Sequence, residues 1–204
     1  DLRNPRHGAR GRLAPARPAA EPAAVEESLE TAGRALDRMA DLLTDLLALA
    51  RQGRTVESTA PFDLPAAARE AWANVATGEA ALEVRATGEI TADRGRVLSV
   101  FENLYHNAVE HGATAEGRPA EAPVTVVVGD LPDGFYVADD GPGIPPADRE
   151  RVFESGYTTA DEGTGFGLAI VTEIVEAHGW RIVARESETG GARFEITGAE
   201  QPVR

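Results

Sequence analysis

The 204-residue sequence contains no cysteine, which excludes disulfides and thiolate metal sites. It contains no lysine either, so all 20 of its strongly basic residues are arginine. Against them stand 34 acidic residues and a formal net charge of −14. A surface of that sign repels phosphate backbones, and no nucleic-acid partner is expected. The same Ala-, Gly- and Arg-rich, Lys-free composition fits a GC-rich genome. It also fits a salt-rich cytoplasm, where excess carboxylates keep a surface hydrated. No apolar run exceeds a handful of residues, so no membrane segment is expected within the sequence. No signal-peptide pattern opens it. What remains, 42% hydrophobic residues, suits one domain with a good core or a smaller domain with a helical appendage.

Residues 1–24 are punctuated by Gly8, Gly11, Pro15, Pro18 and Pro22, which oppose helix continuation. Residues 25–53 differ. Val25, Leu29, Ala32, Leu36, Met39, Leu43, Leu46 and Ala50 alternate spacings of four and three, a sustained heptad seam ending at Gly53. Such a helix must bury its seam, most simply on a second copy of itself; packing on its own domain is the alternative. Residues 54–65 read as a polar connector. Beyond it the pattern predicts a helix over Ala66–Val75, short strands near Leu82–Ala86 and Glu89–Ala92, and a long helix from Arg94 to His111. After a polar loop (113–122) come a hairpin turning at Pro132–Gly134, a Gly/Pro-rich loop, a helix over Phe166–Ala177 and a last hairpin turning at Thr189–Gly191. The expected class is α+β, with helices layered on a mixed sheet.

Four clusters carry chemistry. In "FENLYHNAVEHG", Asn103 and Asn107 lie four apart, on one helix face. A side-chain amide oxygen is a hard ligand suited to Mg²⁺ carried by a nucleotide, though such residues also occur as plain polar surface. In "VADDGPGI", Asp139 ends a strand and Gly141 and Gly143 turn the chain. An acid there can accept a hydrogen bond from an exocyclic amine, and glycines let a flat ring approach the backbone. In "FESGYTT", Phe153 and Tyr157 are aromatic anchors among small residues. In "GTGFGLAIV", Gly163, Gly165 and Gly167 run into an apolar helix, whose free N–H groups suit phosphate.

In this order, the four resemble the N, G1, F and G2 boxes of sensor histidine kinases, within the wider family of gyrase, the Hsp90 chaperones and MutL. The resemblance covers roughly residues 58–198. It implies a two-layer α/β sandwich of the Bergerat type over 66–199, preceded by a long dimerisation helix and followed by a tail (200–204). It implies ATP and Mg²⁺ as cofactors. Asn107 would coordinate the metal and Asn103 would line the same face as a catalytic residue. Asp139 would hold the adenine amine, with Gly141, Gly143 and Ile144 beside the ring. A lid from about Ile144 to Thr164 would bring Phe153, Tyr157, Thr158 and Thr164. Gly165, Phe166, Gly167 and Leu168 would meet the phosphates. The hydrolytic members of the wider family carry Glu at the place of Asn103. Asn is no base at neutral pH, and Glu102 points about 100° round the helix, which favours transfer to a protein over hydrolysis.

The opening "DLRNP" resembles the segment that follows the phosphoacceptor His in this family. The acceptor would then fall just before Asp1, with Asp1 the neighbouring acid that polarises it. His7 has no acid placed beside it and is a poor substitute. Gly8, Gly11, Pro15 and Pro18 depart from a continuous first helix, and "TTADEG" lacks a basic residue in the lid. Arg149, Arg151 and His106 are candidate replacements for that phosphate contact. His111 and His178 read as helix-end residues and Trp180 as core. The implied function is a cytoplasmic histidine kinase core that dimerises through 25–53 and passes phosphate from ATP to His and on to a response-regulator Asp. Membrane attachment would lie elsewhere in a longer protein. The alternatives are a non-catalytic ATP-binding and dimerisation module, and a Ser/Thr kinase of the anti-sigma type.

Overall fold

The computed structural model describes residues 56, 58–112, 123–158 and 165–199, all within one compact unit, Asp41–Arg204. Asp1, His7, the heptad segment 25–53, the loop 113–122, Thr164 and the tail 200–204 lie outside the described residues.

Strand β1 (Ala60–Asp63) runs straight into helix α1 (Leu64–Asn74). Asp63 makes the junction. Its Oδ1 accepts the N–H of Ala66 at 2.6 Å, and Pro65 sits in the first turn, where a missing N–H leaves no bond unmade. The connector expected over 54–65 thus ends in a strand and a helix start. Leu64, Ala67, Ala68 and Ala71 form the buried stripe of α1, and their small side chains let a neighbouring helix come close.

Two short strands follow, β2 (Ala81–Val84) and β3 (Glu89–Ala92), but they do not pair with each other. β2 joins β4 (Thr125–Leu131) in parallel, while β3 pairs antiparallel with β1 in a separate two-stranded sheet. Between β3 and β4 runs α2 (Arg94–Gly112), whose buried Val97, Val100, Phe101, Leu104, Tyr105 and Ala108 recur every three or four residues. β5 (Gly134–Asp139), α3 (Gly167–Ala177), β6 (Arg181–Glu186) and β7 (Ala192–Thr197) complete the domain. The main sheet has the order β2-β4-β5-β7-β6, antiparallel except at β2–β4. Alternate residues of its central strands, Val126, Val128, Phe135, Val137, Phe194 and Ile196, are buried beneath the helices, giving the expected two-layer sandwich.

Aromatic rings tie the layers together. Trp72 of α1 meets Tyr105 edge-on at 5.1 Å, Tyr105 stacks on Phe101 at 5.7 Å, and Phe101 packs on Phe135 of β5 at 5.4 Å. The Tyr105 hydroxyl donates to Ala68 O at 3.1 Å, so its buried polar atom is satisfied. Trp180 meets Phe135 edge-on at 6.5 Å and stacks on His178 at 4.5 Å. On the other face of the sheet the Tyr136 ring covers Gly129, with the Arg193 guanidinium 3.7 Å above the ring centre.

Candidate functional site

Asp139 ends β5 and Asp140 follows it, and the structure separates the two. Asp140 turns to the start of β4, where its Oδ1 accepts the N–H of Thr125 at 2.9 Å. Asp139 turns inward and is 9% exposed. Its Oδ1 accepts two backbone N–H groups, Gly141 at 2.8 Å and Ala192 at 3.1 Å. Its second oxygen has no partner among the described residues. Burial pushes this carboxyl above its ordinary value, against the pull of the two backbone N–H bonds.

Glycines make room around the acid. A Cβ on Gly141 would lie 3.0 Å from Asp139 Oδ1, and one on Gly143, whose φ is +73°, would lie 2.7 Å from Gly190 O. A Cβ on Gly191 would overlap the Asp139 carbonyl and carboxylate outright. The β6–β7 turn therefore closes directly on Asp139, and Ile144 packs half-buried at the edge of the core nearby in sequence.

Helix α2 carries the site onward. Its C-terminal Gly112 lies 3.3 Å from where a Gly141 Cβ would be, and Asn107 and Asn103 are five and nine residues back along the same helix. That is a rise of roughly 8 and 14 Å. Both asparagines face the start of α3. A Cβ on Gly167 would lie 3.1 Å from Asn103 Oδ1 and 3.6 Å from Asn107 Oδ1. Asn103 Nδ2 donates to Ser99 O at 2.8 Å, which fixes its amide with the oxygen toward Gly167. Among the described residues no side chain caps the N-terminus of α3, an 11-residue helix, and a helix start directs its first-turn N–H groups forward. Leu168 is half-buried against the core. Gly165, at φ +70°, accepts the N–H of Gly156 at 2.9 Å, which joins the two ends of the segment between them.

The structure thus brings Asp139, Gly141 and Gly143 together at one end, and Asn103, Asn107 and Gly167 at the other. Phe153 packs against the sheet. It lies in a 3₁₀ turn (Arg151–Phe153), half-buried, edge-on to Phe194 at 6.3 Å, and so anchors the loop. Tyr157 is half-buried beneath the Arg151 guanidinium at 5.1 Å, and Thr158 is exposed. The three candidate phosphate-binding side chains each lie against a carboxylate. Arg149 pairs with Glu186 at 3.2 Å and donates to Ile144 O at 3.1 Å. Arg151 pairs with Asp148 at 3.2 Å and His106 with Glu110 at 3.6 Å. Ser187 and Thr189, beside Asp139, escaped the sequence reading. Their signal was the Gly190–Gly191 pair after two hydroxyl residues, which read only as a turn.

Residues 92–201 match the family described as Histidine kinase-, DNA gyrase B-, and HSP90-like ATPase. The chain belongs to that family. Its ATP-binding domain is of the sensor histidine kinase kind. The sensor histidine kinase ZraS of Escherichia coli O157:H7 is 40% identical over 108 residues, which cover 53% of this chain and 23% of ZraS. The sensor protein FixL of Bradyrhizobium diazoefficiens is 35% identical over 108 residues, covering 53% of this chain and 21% of FixL. The matched part is therefore about a fifth of those relatives' length. Among solved structures, full-length ShkA in complex with AMPPNP shares 27% identity with a TM-score of 0.64, over 92% of this chain and 41% of ShkA. These kinase domains have the same helix-on-sheet build.

Proposed function

We propose that this domain binds Mg·ATP between α2, the end of β5 and the start of α3, and donates the γ-phosphate to a histidine rather than to water. One observation carries the reading: Asp139 is nearly buried, with one oxygen fixed by two backbone N–H groups and the other open. A fixed acceptor in a water-poor site, flanked by glycines, suits the exocyclic amine of adenine, whose unpaired burial would otherwise be costly.

The other end of the site, at Asn103, Asn107 and Gly167, suits phosphates. The start of α3 offers backbone N–H groups and the positive end of a helix dipole. Among the described residues no cluster of three or more His, Cys, Asp or Glu could hold a metal, so Mg²⁺ would arrive on the nucleotide with Asn107 Oδ1 as a protein ligand. The ion supplies charge neutralisation on the phosphates when bound. The chain's own residues orient: Asn103 and Asn107 present amide oxygens, Gly167 keeps the approach open, and Asp139 fixes the base. Positioning of this kind is most of what phosphoryl transfer requires.

The relatives named as sensor kinases, and the AMPPNP bound to ShkA, support this reading. It extends to a dimer formed through residues 25–53 and to a response-regulator Asp as the next acceptor, with the acceptor His expected just before Asp1. The test begins with nucleotide. ATP binding by calorimetry should be lost in Asp139→Asn, and retained affinity would overturn the adenine assignment. With labelled ATP, the 204-residue chain itself should take up no acid-labile phosphate. Label that appears and vanishes in His7→Ala would relocate the acceptor. Acid-stable label on a partner would favour the Ser/Thr kinase alternative.

A further inference from the structure

We infer that Ser187 is a positioning residue for nucleobase recognition, because its hydroxyl latches the β6–β7 turn to the backbone of Asp139. The inference rests on Asp139 being the adenine acceptor. Ser187 is buried, at 8% exposure. Its Oγ donates to the Asp139 carbonyl at 2.7 Å and accepts the N–H of Gly191 at 2.9 Å. One hydroxyl thereby uses both of its hydrogen-bonding roles to couple two elements 48 residues apart in sequence.

The consequence for the acid follows from chain geometry. The residue after Gly191 is Ala192, whose N–H is one of the two donors on Asp139 Oδ1. The Ser187 N–H also donates to Gly191 O at 2.8 Å, and the Gly190 N–H to Ser187 O at 3.1 Å. The turn is thus closed on itself by its own backbone and held to β5 by the hydroxyl. Removing the hydroxyl leaves a buried carbonyl and a buried N–H without that partner. The turn is then free to shift against β5, and Ala192 N–H moves with it. Asp139 loses its fixed orientation, and its open oxygen is no longer aimed. Thr189 Oγ1, 3.0 Å from Ser187 Oγ and 3.4 Å from the Asp139 carbonyl, is too distant from the carbonyl to replace the bond.

A merely structural serine would lower stability and weaken every nucleotide alike. A positioning serine acts on the contact that Asp139 makes, which is the exocyclic amine. The experiment therefore measures the 204-residue chain's affinity for Mg·ATP and for Mg·purine-riboside triphosphate, which lacks only that amine. The wild type should prefer ATP. In Ser187→Ala that preference should shrink by about tenfold, with the affinity for the amine-free nucleotide within twofold of wild type. Ser187→Thr, which keeps the hydroxyl, should restore the preference. Should Ser187→Ala not fold, Ser187→Cys, with its weaker donor, carries the test and should show a partial loss. Discrimination unchanged in the Ala or Cys variant, with ATP preferred by the wild type, overturns the latch alone. Absence of any preference in the wild type overturns the adenine reading and the latch with it.

Discussion

Glu102 Oε1 accepts the Nδ2 of Asn74 at 2.8 Å. The acid beside Asn103 is thus turned to the C-terminal end of α1, away from the face that Asn103 and Asn107 share. It is the one carboxylate next to Asn103 in the chain, and its partner holds it off the phosphate end. Glu102→Ala should leave ATP affinity and any phosphate transfer within twofold of wild type. The stability loss should be about 1 kcal/mol, the usual worth of an exposed hydrogen bond. A tenfold fall in turnover at unchanged affinity would show Glu102 acting as a base.

Asp139 gives a prediction in pH. Burial raises its folded-state carboxyl above the ordinary 3.8. The folded protein therefore binds a proton more readily than the unfolded chain, and ionisation costs stability once the pH rises through the raised value. Asp139→Asn keeps an oxygen for the two N–H donors and removes that cost. At pH 7 the unliganded variant should melt no lower than wild type, and the difference between the two should shrink on acidification through that window. Nucleotide binding should show the opposite sense. Affinity for ATP should fall as pH drops through the raised value, while affinity for the amine-free triphosphate should not. A melting point for Asp139→Asn several degrees below wild type at pH 7 would contradict this account.

Neighbouring glycines in the β6–β7 turn should behave differently. At Gly190, φ is +92° and nothing lies within 4 Å of an added Cβ. Gly190→Ala should cost about 1–2 kcal/mol of backbone strain and keep nucleotide affinity. At Gly191 the obstacle is contact with Asp139 rather than conformation. Gly191→Ala should abolish ATP binding, read by calorimetry on protein shown folded by circular dichroism.

His178 links two helices. Its Nδ1–H donates to Ile174 O at 2.7 Å, and its Nε2 accepts the N–H of Asp93 at 3.1 Å. The two bonds tie the end of α3 to the start of α2. His178→Ala should destabilise the domain by about 1–3 kcal/mol in a denaturant titration. ATP affinity should stay within twofold, because neither partner lies at the cleft.

The site was legible in the sequence where the chemistry sits on regular elements. The spacing of Asn103 and Asn107 fixed their common face, and the turn after Asp139 could be read from Gly141 and Gly143. Which of Asp139 and Asp140 faces inward was a matter of strand alternation, and the burial of Val137 and Asp139 on one side settles it. β1 was hidden because "APFD" carries a proline and one half-buried residue, Phe62, with no period-two pattern. The parallel pairing of β2 with β4 depends on a crossover through α2, which no local signal encodes. Ser187 was illegible for a related reason. Its two partners are four residues and 48 residues away, and only the longer of these contacts gives it a role.

The bond from Gly156 N–H to Gly165 O, at 2.9 Å, brings together the two ends of an eight-residue stretch (157–164). With Gly156 and Gly165 joined there, the number of residues between them does not set their separation. Closure entropy grows slowly, at roughly 0.6 kcal/mol for each doubling of a flexible loop. A peptide grafted after Thr158 should therefore be carried at little thermodynamic cost. A melting point lowered by more than a few degrees would show that the two glycines alone do not isolate the graft.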